Sequence, residues 1–340
     1  MSKLIKVTLT DVAKAAGLSI GGTSYALRGH PNISRATVER VRKVAAELGY
    51  KPDLRIKSLM ANIRRGRRLE KGETLALVWI NTPRELSGLA TATREFAKNI
   101  LLGVTRRAEQ HGCTLDQFRL FGDGLSPARL WKILVSRGIS GVIFAPMDCR
   151  GSIALDWDWS PFATAVIGHT EFTPSISRSA HFHYRSVWRV LERLGKEGHT
   201  RPAIILNQEV QERIHFMQTA AFITNHPNPK DAMKCVAYGT PKDFSPMEKW
   251  LRKTKPDVLI MAWQIDRQAV ELIRKISPKT RKIITLEWHP QGVLSGVNLR
   301  NDELAANAVD MVVAQMHANN LGVPECPVSM LMDGIWKDAP

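Results

Sequence analysis

The chain has 340 residues, 44% of them hydrophobic, and a formal net charge of +16. That length is too great for one ordinary domain and fits two or three, with apolar material enough for a sizeable core. Four scattered cysteines with no CxxC exclude a disulfide framework and a zinc motif, and no secretory leader or long apolar run is present, so a cytoplasmic protein is expected.

The charge is uneven. Residues 1–68 hold 15 Lys and Arg against 4 Asp and Glu, a net of +11, whereas the remainder holds 33 against 28, a net of +5. A basic module on a nearly balanced body points to a polyanion as that module's partner.

Residues 8–50 predict three short helices. Val12, Ala13 and Ala16 share a face of the first, and Gly17 ends it in a tight turn. Ser19 is the N-cap expected for a second helix running to about Leu27, and Ser34 caps a third along which Val38, Val41, Val44 and Leu48 recur at helical spacing. Two helices joined by a glycine turn and backed by a third make a helix-turn-helix unit. Residues 51–74 then read as a linker, and the run Arg64 to Arg68 as a solvated tether or a nonspecific phosphate attractor.

From residue 74 the period changes. Leu75 to Ile80 is a continuous apolar run suited to a buried parallel strand, followed by a helix near 94–111. Further strands are predicted near 114–120, 140–145, 163–168, 202–206, 257–262 and 282–286. Helices are predicted near 126–137, 184–197, 209–225, 243–253, 266–276 and 302–319. Strands alternating with helices over some 260 residues predict two doubly wound lobes.

The stretch from Val7 to Ser19, then Thr23 to Gly29, Ile33-Ser34, Thr37 and Ala46 to Pro52 closely resembles the DNA-binding head of the LacI family. The resemblance implies a sequence-specific transcription regulator, a repressor by family habit, that binds a pseudo-palindromic operator as a homodimer. In a helix-turn-helix the second helix enters the major groove with its N-terminal residues leading. The resemblance assigns base reading to Ile20, Gly21 and Tyr25. It assigns phosphate contacts to Thr8, Ser19, Gly22, Ser24, Asn32, Ser34 and Thr37, and places Tyr50 at the DNA backbone. The family commonly has Thr where Gly22 stands and Val where Thr23 stands. Residues Pro52 to Met60 resemble the family's hinge helix, with Leu59 as a minor-groove wedge.

The rest resembles the family's sensing core, related to periplasmic sugar-binding proteins. The expected architecture is an all-α head over 1–51, a hinge and linker over 52–73, and an α/β core over 74–338. That core comprises two Rossmann-like lobes, at about 74–169 with 300–323 and about 172–298 with 327–338, with three chain crossings between them. Ligands of parallel sheets bind beyond the carboxyl ends of the strands. That rule places Asn81, His169, Trp263 and Trp288 near a sugar-like effector, and the resemblance adds Arg213 and Asp266. Phe216, Ile265 and Glu287 depart from the family's usual residues.

Gly17-Leu18-Ser19-Ile20-Gly21 fits the nucleophile-elbow pattern but follows a helix rather than a strand, so no catalytic serine is expected. His181 and His183 are expected to be packing or surface residues rather than metal ligands. No cofactor, metal, membrane partner or catalytic constellation is expected. Weighed beside the regulator are a regulator that senses no ligand and a sugar-binding protein of the same core fold.

Overall fold

The computed structural model describes residues 9–27, 33–48, 50, 72–80, 91–121, 125–146, 152–240 and 245–339. The chain divides into two compact units, Met1–Lys71 and Gly72–Pro340.

In the first unit α1 (Leu9–Ala16), α2 (Ile20–Leu27) and α3 (Arg35–Glu47) bury a small shared core. Val12, Ala16, Ala26, Val41 and Ala45 form it, with Leu18, Leu27, Ile33, Val44 and Tyr50 packed around them. Gly17 takes a left-handed φ of 65°, which turns the chain between α1 and α2 at no Cβ cost. Ser34 caps α3 by accepting the Thr37 amide.

The second unit contains two six-stranded sheets. The first comprises β1 (Thr74–Ile80), β2 (Thr114–Leu120), β3 (Gly141–Phe144), β5 (Ala163–Ile167), β7 (Arg178–His181) and β13 (Ser329–Met332), in the order β13-β7-β5-β3-β1-β2. All its pairings are parallel. A separate two-stranded sheet pairs β4 (Ser152–Ala154) with β6 (Glu171–Thr173).

Alternate residues of β1 serve opposite faces. Leu75 and Leu77 pack with Ile100, Val104 and Ala108 of α4 (Thr91–Gln110) and with Leu304, Val309 and Val312 of α11 (Asn301–Ala318). Ala76 and Val78 pack with Leu130 and Leu134 of α5 (Pro127–Ser136) and with Trp157, Trp159 and Phe162. Burial on both faces explains the unbroken apolar run. Helices α4 and α11 touch so closely at Gly103 that a Cβ there would stand 2.0 Å from the Asp302 carbonyl oxygen.

The second sheet runs β14-β12-β11-β10-β8-β9. Its strands are β8 (Pro202–Leu206), β9 (Val236–Tyr238), β10 (Val258–Met261), β11 (Lys282–Thr285), β12 (Gly296–Asn298) and β14 (Ile335–Lys337). Only the edge pair β12–β14 is antiparallel. Around it lie α6 (His183–Lys196), α7 (Gln208–Arg213), α8 (Met217–Asn225), α9 (Ser245–Thr254) and α10 (Arg267–Ile276). Val190, Leu194, Phe222, Leu251 and Ile273 are among the side chains that fill the core against it.

The chain passes between the sheets at 182, at 299–300 and at 333–334. The first sheet therefore includes β7 and β13, stretches that the sequence reading assigned to the second lobe. Both are short, and neither has a sequence period that assigns it to one lobe.

The helix predicted over 209–225 is two helices. His215 and Phe216, both with left-handed φ (52° and 56°), divide α7 from α8.

Candidate nucleic-acid interface and effector site

In the head, one serine organises the start of α2. Ser19 Oγ accepts the Gly22 amide at 3.0 Å, and the Ser19 carbonyl accepts both the Thr23 amide (2.9 Å) and the Thr23 hydroxyl (3.0 Å). Thr23 is fully buried, so that internal hydrogen bond satisfies a hydroxyl where the family usually has valine. Ile20 is 51% and Tyr25 40% exposed. Gly21 is exposed, Gly22 and Ser24 are half-buried, and α2 carries no charged side chain. The tip of α2 is thus a low surface flanked by an aliphatic and a phenolic side chain. At the start of α3 the hydroxyls of Ser34 and Thr37 meet at 2.8 Å. The Tyr50 amide donates to the Ala45 carbonyl (2.9 Å), which holds this residue at the end of α3.

In the core, His169 and Arg213 come together. His169 follows β5 and donates Nε2–H to the His181 carbonyl at 3.1 Å. Burial, the nearby positive charge of Arg178, and that of His215 and Arg213 hold its ring down to about pH 4 despite the hydrogen bond. The His169 and His183 rings lie tilted to one another with centroids 5.2 Å apart, and His181 meets His183 edge-on at 5.6 Å. Arg178 forms a bidentate pair with Glu171, and His215 Nε2 lies 3.5 Å from the same carboxylate. These contacts join the carboxyl end of the first sheet to the helices of the second lobe.

The remaining predicted effector residues have structural work. Trp263 is 8% exposed within the second lobe's core. Asp266 caps α10 by accepting the Ala269 amide at 2.7 Å. Trp288 donates its indole N–H to the Asp338 carbonyl at 3.1 Å, and Gln264 bridges the loops after β10 and β11 by donating to the Glu287 carbonyl. Among the described residues, no three His, Cys, Asp or Glu side chains are arranged to hold a metal ion. None of the described helices is long and apolar enough to cross a membrane.

Residues 8–53 match the family model for bacterial regulatory proteins of the lacI family. The match covers the helical head and not the core. The maltose regulon regulatory protein MalI of Escherichia coli (strain K12) is 32% identical over 147 residues, 43% of this chain and 37% of MalI. The sucrose operon repressor of Shigella flexneri is 29% identical over 143 residues, 42% of this chain and 38% of that protein. The match thus spans well under half the length of these curated relatives. Among solved structures, a transcriptional regulator CelR–cellobiose complex superposes with a TM-score of 0.52 at 18% identity, covering 98% of this chain and 99% of that one. That likeness shows a shared fold, a helical head followed by a two-lobed α/β core.

Sequence reading also named Thr8, Asn32, Leu59 and Asn81 as site residues, and all four lie outside the described residues. It singled out neither Gln211, Gln218 nor Asn301. Gln218 Nε2 faces His183 Nδ1 at 3.4 Å, its Oε1 accepts from Gln211 at 2.6 Å, and Asn301 Oδ1 accepts from His181 Nε2 at 2.9 Å. The signal available was the His181-Phe182-His183 triplet at the start of an amphipathic helix, whose small polar partners are remote in sequence.

Proposed function

We propose that this chain is a sequence-specific DNA-binding transcription regulator, a repressor, that grips a pseudo-palindromic operator as a homodimer. A small sugar-like molecule held in the core modulates its operator affinity. The observation that carries the reading is the head: a capped second helix with Ile20 and Tyr25 exposed at its tip. Ile20, Gly21 and Tyr25 read base edges. Ser19, Gly22, Ser24, Ser34, Thr37 and Tyr50, together with Thr8 and Asn32, position the head on the phosphates, and Leu59 wedges the minor groove. The head is small and one half-site carries little information, so two copies read two half-sites. The maltose and sucrose regulators among the relatives favour a sugar-like effector. The protein works by binding rather than by catalysis, where the chromosome is. Effector and operator then alter each other's affinity by one common factor.

Selection from random duplex DNA, repeated across salt concentrations, tests this. An enriched inverted repeat whose log affinity falls steeply with log salt is expected. Weak binding with no consensus would remove specific regulation.

One observation favours a second reading, a regulator that binds DNA without sensing: Trp263, Asp266 and Trp288 are all engaged within the fold. Operator titrations with and without maltose, sucrose and cellobiose separate the two, since a silent core leaves operator affinity unchanged by every sugar.

A further inference from the structure

The positive charge of the core is gathered in two short stretches. Residues 249–257 and 274–282 contain nine Lys and Arg and a single acid, Asp257. The rest of residues 69–340 contains 24 Lys and Arg against 27 Asp and Glu, so without these two stretches the core is slightly acidic. The fold brings the two together. They form the last turns of α9 and α10, which touch, and the turns into β10 and β11, which pair with Val258 opposite Lys282. The Arg281 amide donates to the Asp257 carbonyl at 2.9 Å, and the Asp257 amide to the Arg201 carbonyl at 3.1 Å, which adds the turn into β8. Every residue of these three turns is described. They lie at the amino ends of the second sheet's strands, the end opposite to the one where parallel sheets hold small ligands.

The side chains of Lys253, Lys255, Arg274, Lys275, Lys279 and Arg281 are exposed there. The nearby carboxylates are engaged elsewhere. Asp257 accepts the Thr200 and Arg201 amides at 2.8 and 3.1 Å and lies 3.8 Å from Arg281. Glu248 pairs with Arg252, and Glu197 with Lys282 and Arg193. Glu271, one turn back on α10, reaches neither Arg274 nor Lys275. Among the described residues, Lys253, Lys255, Arg274, Lys275 and Lys279 have no carboxylate partner. Helix ends account for a fraction of this, since each C-terminus carries only about half a unit of negative charge. Lys255 adds a separate sign of use. It ends α9 with a left-handed φ of 47°, its amide on the Leu251 carbonyl at 2.9 Å, at a place where glycine is the favoured residue. A lysine is kept where its own Cβ is unfavourable.

We propose that this basic face of the second lobe binds the phosphate backbone of double-stranded DNA without regard to sequence, as a DNA contact of the core itself. A duplex presents a negative charge about every 1.7 Å of its axis, so a face only a few strands wide meets several phosphates. Lysines on a smooth surface suit that task, because phosphate contacts position a protein without reading bases. A protein partner would need apolar or aromatic anchors and a surface poor in lysine. Within residues 249–282 the one exposed large apolar side chain is Leu272. The proposal stands on the core alone and goes beyond the operator reading of the head.

The test uses the full chain and a random-sequence duplex. Lysine acetylation is read by mass spectrometry at low salt, with and without the duplex. Lys253, Lys255, Lys275 and Lys279 are expected to lose reactivity several-fold when DNA is added, while the exposed first-lobe lysines Lys98 and Lys132 keep theirs. The fourfold variant Lys253→Gln, Lys255→Gln, Lys275→Gln, Lys279→Gln is then titrated with the same duplex between about 50 and 200 mM salt. Its slope of log affinity against log salt should be shallower by about 0.9 for each lysine that meets a phosphate. The charge-matched variant Lys98→Gln, Arg119→Gln, Arg129→Gln, Lys132→Gln should keep the parent's slope. Undiminished reactivity of the four lysines in saturating duplex overturns the proposal, whether or not the variants fold. An equal change of slope in both variants also overturns it, since net charge rather than a face would then be at work. Protection by polyglutamate but not by duplex would overturn DNA as the occupant and give the face to an acidic polypeptide. A failed operator selection would remove the reading of the head and leave the protection of these lysines as it stands.

Discussion

Ser19 Oγ accepts the Gly22 amide at 3.0 Å, and a methyl group on Gly22 would stand 3.2 Å from that same oxygen. The cap and the missing side chain are therefore coupled. Ser19→Ala should cost the head about 1 kcal/mol, the usual worth of an N-cap. Gly21→Ala should gain roughly 1 kcal/mol of helix propensity, since its nearest neighbour, Ser19 Oγ, is 4.0 Å away. Gly22→Ala should gain less, because the cap must give way. Hydrogen exchange of the α2 amides reads all three, and an equal gain from both glycines would dissolve the coupling.

On the proposed function, the glycines at the tip of α2 would let the backbone approach DNA closely and would leave base reading to Ile20 and Tyr25. An exposed aliphatic side chain in the major groove suits a thymine methyl group. Ile20→Ala should lower discrimination at one A·T position by about 1 kcal/mol while leaving the salt slope unaltered. Gly22→Thr should weaken operator binding across all sequences. Competition titrations check both, and unaltered base preference in Ile20→Ala would take that residue off the reading face.

Gly103 carries the contact of α4 with α11. A Cβ would lie 2.0 Å from the Asp302 carbonyl oxygen, which is backbone and cannot swing aside. Gly103→Ala should destabilise the core by about 3 kcal/mol, the upper range of overpacking, despite alanine's better helix propensity. Urea unfolding followed by tryptophan fluorescence measures it. A variant as stable as the parent would mean that the two helices pack farther apart.

The crossing histidines make the core acid-sensitive. Burial chiefly holds His169 and His181 at about 4, against 6.5 for free imidazole. Between those values the unfolded chain binds protons that the folded chain does not, so stability falls as pH drops below 6.5 and the loss levels off below 4. The full span at His181 is worth roughly 3 kcal/mol. Urea midpoints at pH 7, 6 and 5 should decline in that order, and His181→Gln should flatten the decline. A variant with the parent's slope would assign the acid sensitivity elsewhere.

Legibility in the sequence followed burial. The strands at 114–120 and 202–206 were predicted at their observed bounds, and the head helices within a residue or two, because apolar periodicity and Ser, Gly caps mark them. Strands such as Arg178–His181 and Ile335–Lys337 were invisible. They are too short for a period, and partners far along the chain decide their pairing. The break at His215-Phe216 was hidden because neither residue advertises a left-handed backbone. Among effector candidates, His169 and Arg213 converge while Trp263 packs inward. A rule about strand ends locates a loop but does not fix which way its side chains face.

Strands β13 and β14 are separated by only Asp333 and Gly334, yet one edges the first sheet and the other the second. Nine consecutive residues thus act as a stitch through both lobes, knotted in the middle by Asp333 on Arg185 and Arg189. Neither lobe can melt without pulling the stitch from the other, so calorimetry of the core should record a single cooperative endotherm instead of two.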